Sequence, residues 1–389
     1  MFKKPTVFLL GAGASWHYGY PTGEALVGKV VAKALDFSEY CRKASSSSYS
    51  YAQPHVVSEF RVSSKGSTAH NEQWQTVAKE FENLAKRLRQ VNPPVIDYFL
   101  GWNPALQTAG KMIIAWVILE CEATYRRDGY NTNRHYLQPP ENIDRGHDDW
   151  GRFVLYDLVS RCAKSEDLLQ NDVKFITFNY DMSLEWRIQN GLENIELFKE
   201  KDIKEFMKGR VLHVYGSVRD TATAELFDLE VSQHIMNGAN GVEDPLRRFQ
   251  EIKYHADLAY EASKNIYCID PHEKTSDDKT LKLAQEAFDR ADLVYILGYG
   301  FDENNSARLN LEKSLRPGKT RRKEVFFTNY GDVNRVNRKA SKLLFGDNVH
   351  FVPPNPSVHL NHKVSSEKST RSTYDALSLD FDALTESTE

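Results

Sequence analysis

The chain opens with a short apolar run, residues 5–10 (PTVFLL), that stops at Gly11. A β-branched and aromatic run closed by glycine predicts a buried strand entering a turn. From Gly23 onward, Leu26, Val27, Val30, Val31 and Ala34 fall on one helical stripe, which predicts an amphipathic helix. Trp74, Val77, Phe81, Leu84 and Leu88 recur at steps of three and four before Asn92-Pro93-Pro94, a second such helix with a proline stop. Pro94 opens a short helical stretch over 95–100. Residues 112–121 are apolar almost all round and predict the central helix of a helical subdomain. The polar stretches 45–68 and 131–149 read as loops.

After Trp150 the rhythm changes. A helix over 152–163 leads to a strand over 172–178, and further short apolar runs follow at 210–215, 293–297, 324–327 and 349–352. Helical patterns such as 282–290 separate them. Strands alternating with helices predict an α/β fold: a Rossmann-like, doubly wound, mostly parallel sheet with an inserted α-helical subdomain. On this reading residues 1–35 and 150–362 form a discontinuous sheet domain, and 36–149 are the insertion. Residues 363–389, rich in Ser, Thr and acid, form a tail whose Tyr374, Leu377, Leu379, Phe381 and Leu384 could dock on a partner.

Composition narrows the function classes. The 389 residues hold 50 Lys and Arg against 54 Asp and Glu, a net charge of −4, so the chain lacks the basic excess of a dedicated nucleic-acid binder. No apolar run approaches the roughly 20 residues that span a bilayer. No basic-then-apolar leader opens the chain. The expectation is a soluble, cytoplasmic protein with no membrane partner and no direct nucleic-acid binding. Cys41, Cys121, Cys162 and Cys268 are scattered without a C-x-x-C pair. Neither His147-Asp148-Asp149 nor Cys268 with His272 has a second ligand pair at metal-site spacing, so no metal and no zinc module is expected.

Ligands of an open parallel sheet bind beyond the carboxyl ends of its strands. Four predicted strands end in small or polar residues: Gly11-Ala12-Gly13-Ala14-Ser15, Asn179-Tyr180-Asp181, Gly298-Tyr299-Gly300-Phe301-Asp302 and Thr328-Asn329-Tyr330-Gly331. Gly11 and Gly13 before a helix could offer backbone N–H groups to a pyrophosphate. The third glycine of a G-x-G-x-x-G fingerprint is absent, and Trp16 stands there.

Gly11-Ala12-Gly13-Ala14-Ser15 followed by Tyr18-Gly19-Tyr20-Pro21-Thr22-Gly23 resembles the G-A-G-x-S…G-x-P opening of the sirtuin fold. Other segments follow in that family's order. Thr177-Phe178-Asn179-Tyr180-Asp181 is similar to its T-x-N-x-D strand end, and residues 212–217 (LHVYGS) to the strand carrying its histidine. Gly298-Tyr299-Gly300 resembles the glycine segment near the ribose, and Thr328-Asn329 the strand end beside the adenosine. The resemblance covers about residues 5–35 and 150–355. The chain departs from protein-deacylating sirtuins in lacking their four-cysteine module and in reading Thr22-Gly23 where they read F-R. Pro21-Thr22-Gly23 with Asn179-Tyr180-Asp181 looks instead like the sirtuin-like NAD hydrolases of bacterial anti-phage defence.

That resemblance implies NAD+ as substrate, cleaved to nicotinamide and ADP-ribose in a gated, abortive-infection type of response. It also implies a homo-oligomer assembling with a HerA-type ATPase. It assigns catalysis to Asn179, His213 and Asp181, and cofactor contacts to Gly11, Ala12, Gly13, Ser15, Pro21, Thr22, Tyr215, Gly298, Gly300, Phe301 and Asn329. Chemically, Asn179 can bind ribose hydroxyls and water with both ends of its amide. An ionised Asp181 can favour a cationic sugar or fix the Asn179 turn, and a neutral His213 can accept a proton. Residue by residue, alternatives stay open: Asn-Tyr-Asp also suits a turn or helix N-cap, a strand histidine also suits a core, and Asp97 can reach the site or cap its own helix. Two other functions remain: a zinc-less NAD-dependent deacylase or ADP-ribosyltransferase, and a non-catalytic subunit that binds NAD or ADP-ribose.

Overall fold

Five of the apolar runs form strands: β1 (Thr6–Leu10), β2 (Val173–Thr177), β3 (Val211–His213), β4 (Leu293–Leu297) and β5 (Glu324–Phe327). The structure is a computed structural model that describes residues 1–46, 52–60, 66–130, 149–218, 245–268, 279–316, 323–329 and 334–345. The run at 349–352, the tail at 363–389, Tyr330, Gly331, His147, Asp148, His272 and most of the loop at 131–149 lie outside the described residues.

The strands are all parallel, in the order β3-β2-β1-β4-β5. β1 and β4 are buried at every position, as expected of strands covered on both faces, and this is why they read as unbroken apolar runs. The register sets Phe175, Phe8, Tyr295 and Phe326 side by side on one face. Their rings stack across four strands at centroid spacings of 5.2, 4.9 and 5.2 Å. The chain moves outward from β1 to β2 and β3, then returns to the other side of β1 for β4 and β5. This reversal creates the Rossmann-like switch point between the carboxyl ends of β1 and β4.

The helices are α1 (Ala12–Ser15), α2 (Gly23–Ser46), α3 (His55–Glu59), α4 (Gly66–Val91), α5 (Ile96–Gly101), α6 (Gln107–Tyr130), α7 (Gly151–Val159), α8 (Ser183–Glu193) and α9 (Glu200–Met207). After β3 come α10 (Pro245–Ser263), α11 (Lys279–Arg290), α12 (Glu303–Arg308), α13 (Leu311–Leu315) and α14 (Asn334–Phe345). The stripe Trp74, Val77, Phe81, Leu84 and Leu88 on α4 is wholly buried.

Three features differ from the sequence expectation. The domain boundary at residue 35 falls inside α2, which continues because Phe37, Tyr40, Cys41 and Ala44 extend its buried stripe against α4. The stretch expected to be loop at 45–68 contains α3 and the start of α4. The helical layer is also not built from 36–149 alone. α10, which follows β3, packs on α6, with His255 beside Trp116 (6.2 Å between centroids), and reaches α2, with Phe249 beside Tyr40 (5.0 Å). Such a contact joins segments far apart in sequence and leaves no local signal. Among the described residues no helix is long and apolar enough to cross a membrane.

Candidate functional site

At the switch point two glycine turns interlock. The Gly11 N–H donates to Leu297 O (2.9 Å) and the Gly13 N–H to Gly298 O (3.0 Å). Gly298 sits at φ +60°, and a Cβ there would lie 2.1 Å from the Ala14 nitrogen. A Cβ on Gly11 would lie 2.5 Å from Gly298 O. Only glycine permits this approach. It also revises the expected phosphate seat: the Gly13 N–H is already spent, and α1 spans only four residues before a 3-10 turn (Trp16–Tyr18). So short a helix adds little dipole. Ala12 is half-buried, whereas Gly300 is exposed with open space where a side chain would project.

Asn179, just beyond β2, crosses to the β1 turn. Its Nδ2 donates to Gly11 O (3.0 Å) and to Ser15 Oγ (2.8 Å), and its backbone N–H donates to Thr177 Oγ1 (3.0 Å). The amide nitrogen is therefore not available to a ligand, which narrows the two-ended role expected for it. Its Oδ1, on a half-buried side chain, is held in place with no acceptor duty to the described residues. Ser15 is buried, so it serves as a bridge in this network, between Asn179 and Asp181.

His213 ends β3 with its ring turned inward. Nδ1 donates to the Asn179 carbonyl (2.8 Å) while Nε2 faces Glu185 Oε1 (2.6 Å) in the first turn of α8. Burial pulls the imidazole pKa down, but the charge and hydrogen bond of Glu185, with the Asn179 carbonyl, outweigh it and push it up to about 9. Two acceptors suit an imidazolium with both nitrogens protonated. The neutral proton acceptor expected at His213 is thus corrected to a fixed cation, and the amide of Asn179 and the ring of His213 do not converge on one point.

Asp181 is buried and accepts the N–H (3.1 Å) and hydroxyl (2.5 Å) of Ser183 at the start of α8. Desolvation raises its pKa to about 6, against the hydrogen bonds from Ser183 and Ser15. Glu122 of α6 takes the neighbouring Met182 N–H (2.7 Å). Of the two roles open to Asp181, fixing the turn matches these contacts. Asp97 does not cap α5 with its side chain; its carboxylate accepts the Tyr180 hydroxyl. It is half-buried, and desolvation pushes its pKa up to about 7.

The remaining expected contacts divide. Tyr215 is buried against Phe178 (5.7 Å between centroids), and its hydroxyl donates to Asn305 Oδ1. Phe301, at φ +51°, turns its ring into the core against Phe327 and is not placed to stack on a ligand, a correction to its expected cofactor role. Asn329 is buried and donates to Asn337 Oδ1 of α14 (2.8 Å). Pro21 is half-buried and Thr22 exposed at the entry to α2, where the Thr22 carbonyl accepts the Leu26 N–H (2.8 Å).

Residues that sequence reasoning did not select complete this end of the sheet. They are Glu185, Glu122, Tyr98, Asn305 and Arg308. Tyr98 donates to Asp302 Oδ1 (2.7 Å) and Asn305 Oδ1 (3.3 Å), tying α5 of the helical layer to α12. Asp302 caps α12 by accepting from Asn304 and Asn305 N–H. The Asp-x-x-Asn spacing before that helix was a usable signal; Glu185 and Tyr98 had none, because their partners are distant in sequence. Among the described residues no group of three or more His, Cys, Asp or Glu side chains is placed to hold a metal ion. Comparison with family models, curated proteins and solved structures finds no match to this chain.

Proposed function

We propose that the carboxyl end of this sheet binds NAD+ and hydrolyses its nicotinamide–ribose bond, giving nicotinamide and ADP-ribose. The observation that carries the reading is the clamp of Asn179 onto Gly11 and Ser15, which fixes a lone acceptor oxygen at the switch point. In the reaction a water oxygen bonds to the ribose C1′, the N-glycosidic electron pair leaves with nicotinamide, and one proton is released. Asn179 Oδ1 holds a ribose hydroxyl or that water, since it can only accept. Asp97, half-buried and accepting the hydroxyl of Tyr180 next to Asn179, with its pKa raised to about 7 by desolvation, is suited to take the proton. His213 and Glu185 position the Asn179 backbone and do not exchange protons with substrate. The order of the motifs extends the reading to an anti-phage effector, homo-oligomeric and gated by a HerA-type ATPase.

One observation favours a second reading. Both ring nitrogens of His213 are engaged, so this residue offers no neutral imidazole to a substrate, which suits a subunit that binds NAD or ADP-ribose without turning it over. The purified chain, alone and with the product of its gene neighbour, is incubated with NAD+ and nicotinamide is followed by chromatography. Release in equal amounts with ADP-ribose, lost in Asn179→Ala, is the expected result. Binding without release under either condition replaces hydrolysis by the second reading, and no binding removes both.

A further inference from the structure

Beyond the glycine turns, α12 carries two donors that no acceptor among the described residues uses. Arg308 Nε is buried without a hydrogen-bond partner, and among the described residues no carboxylate pairs with its guanidinium. The guanidinium instead lies over the Tyr215 ring, 5.8 Å from its centroid. Asn305 stands one turn earlier on the same helix face. Its Oδ1 accepts the hydroxyls of both Tyr98 and Tyr215, which turns its Nδ2 to the other side, where it meets no acceptor among the described residues. Tyr215 therefore sets both groups: its hydroxyl orients the Asn305 amide and its ring seats the guanidinium.

A guanidinium keeps its charge throughout the physiological range, and burying part of it without an acceptor is costly. What the pair lacks is a partner that only accepts and is negatively charged. A phosphoryl oxygen pair fits the planar fork of Arg308, with a further oxygen for Asn305 Nδ2.

We propose that Arg308 and Asn305 form a phosphoryl-binding site on α12. The site deepens the dinucleotide reading, on which its assignment to a nucleotide's phosphate rests. The same chemistry would also take free pyrophosphate, and the two sources separate experimentally.

The full-length chain is titrated by calorimetry with pyrophosphate, with ADP-ribose and with adenosine, which carries no phosphate. Two variants are compared: Arg308→Gln, which removes the charge, and Asn305→Asp, which keeps both tyrosine contacts and gives Arg308 an internal carboxylate. Each variant is expected to bind pyrophosphate and ADP-ribose about tenfold or more weakly, the loss of one charge-assisted pair, with adenosine binding unchanged and the melting temperature not lowered. Unchanged affinity for both phosphorylated probes in the two variants overturns the site while leaving NAD binding standing. Pyrophosphate binding that depends on Arg308, without any binding of ADP-ribose or NAD+, supports the site and overturns the dinucleotide reading. No binding of either phosphorylated probe by the parent chain overturns the site outright.

Discussion

Nε2 of His213 lies 2.6 Å from Oε1 of Glu185, in a pair whose side chains are only 12% and 11% exposed. The opposite ring nitrogen is anchored on the Asn179 carbonyl, so the pair ties β3, the end of β2 and α8 together. Holding His213 at a pKa of about 9, above the ordinary histidine value of about 6.5, makes protonation part of the fold's stability. The contribution is fully present below about pH 6.5 and is lost as pH rises through about 9, with a magnitude up to roughly 3 kcal/mol. Urea midpoints measured across that window should fall with rising pH, and His213→Gln should flatten the fall. A parent midpoint that stays level contradicts the cationic assignment.

Asp97 behaves in the opposite functional sense although the direction of linkage is the same. Its carboxyl is pushed up to about 7 by desolvation, so its protonated form is favoured in the folded chain. Stability associated with this group is present below the unfolded value near 4 and lost as pH rises through about 7. Asp97→Asn keeps an acceptor for the Tyr180 hydroxyl and removes the strained charge. It should raise stability at about pH 8 by on the order of 2 kcal/mol, with no gain at about pH 4. If Asp97 takes the proton from water, the same variant slows NAD+ turnover. Thermal melts at the two pH values and nicotinamide release separate the effects.

The glycines at the switch point are not equivalent. Gly298 at φ +60° meets the Ala14 nitrogen where its Cβ would stand, whereas Gly300 has nothing within 4 Å. Gly298→Ala must therefore displace backbone on both turns, and a cost of about 3 kcal/mol or more is expected. Gly300→Ala should leave the urea midpoint nearly unchanged. Equal loss in the two variants would show that the turns are not interlocked as described.

The parallel sheet was legible because each strand is a short apolar run closed by glycine or a polar residue: β1 at Gly11, β2 at Asn179, β4 at Gly298. The stripe of α4 was legible because its five core residues repeat with the helix period. Chemistry was less legible. That Asn179 meets the glycine turn follows from the adjacency of β1 and β2, yet the role of His213 depends on Glu185, 28 residues away on another element. A histidine opposite a carboxylate and one opposite solvent look the same in sequence. α10 likewise shows no local mark of the helix it covers, because its partner surface on α6 is formed by residues far upstream.

Asn179 and Ser15 provide the sharpest test of the clamp, because Ser15 acts on the ligand only through its hold on the Asn179 amide. Removing the amide in Asn179→Ala deletes the fixed acceptor and both Nδ2 bonds; binding of NAD+ and any turnover should be lost, turnover by about 100-fold or more. Asn179→Asp is more informative. An oxygen replaces Nδ2 against Gly11 O, and the Ser15 hydroxyl can turn toward it only by leaving Asp181. A destabilisation of about 1–3 kcal/mol follows from that unsatisfied contact. Ser15→Ala removes the bridge from the other side. In a double-mutant cycle with Asn179→Ala the two stability losses should fall short of additivity by about 0.5 kcal/mol or more, because both delete the same hydrogen bond. Strictly additive losses would mean that the serine does not hold the amide, and the acceptor at the switch point would then have no fixed direction.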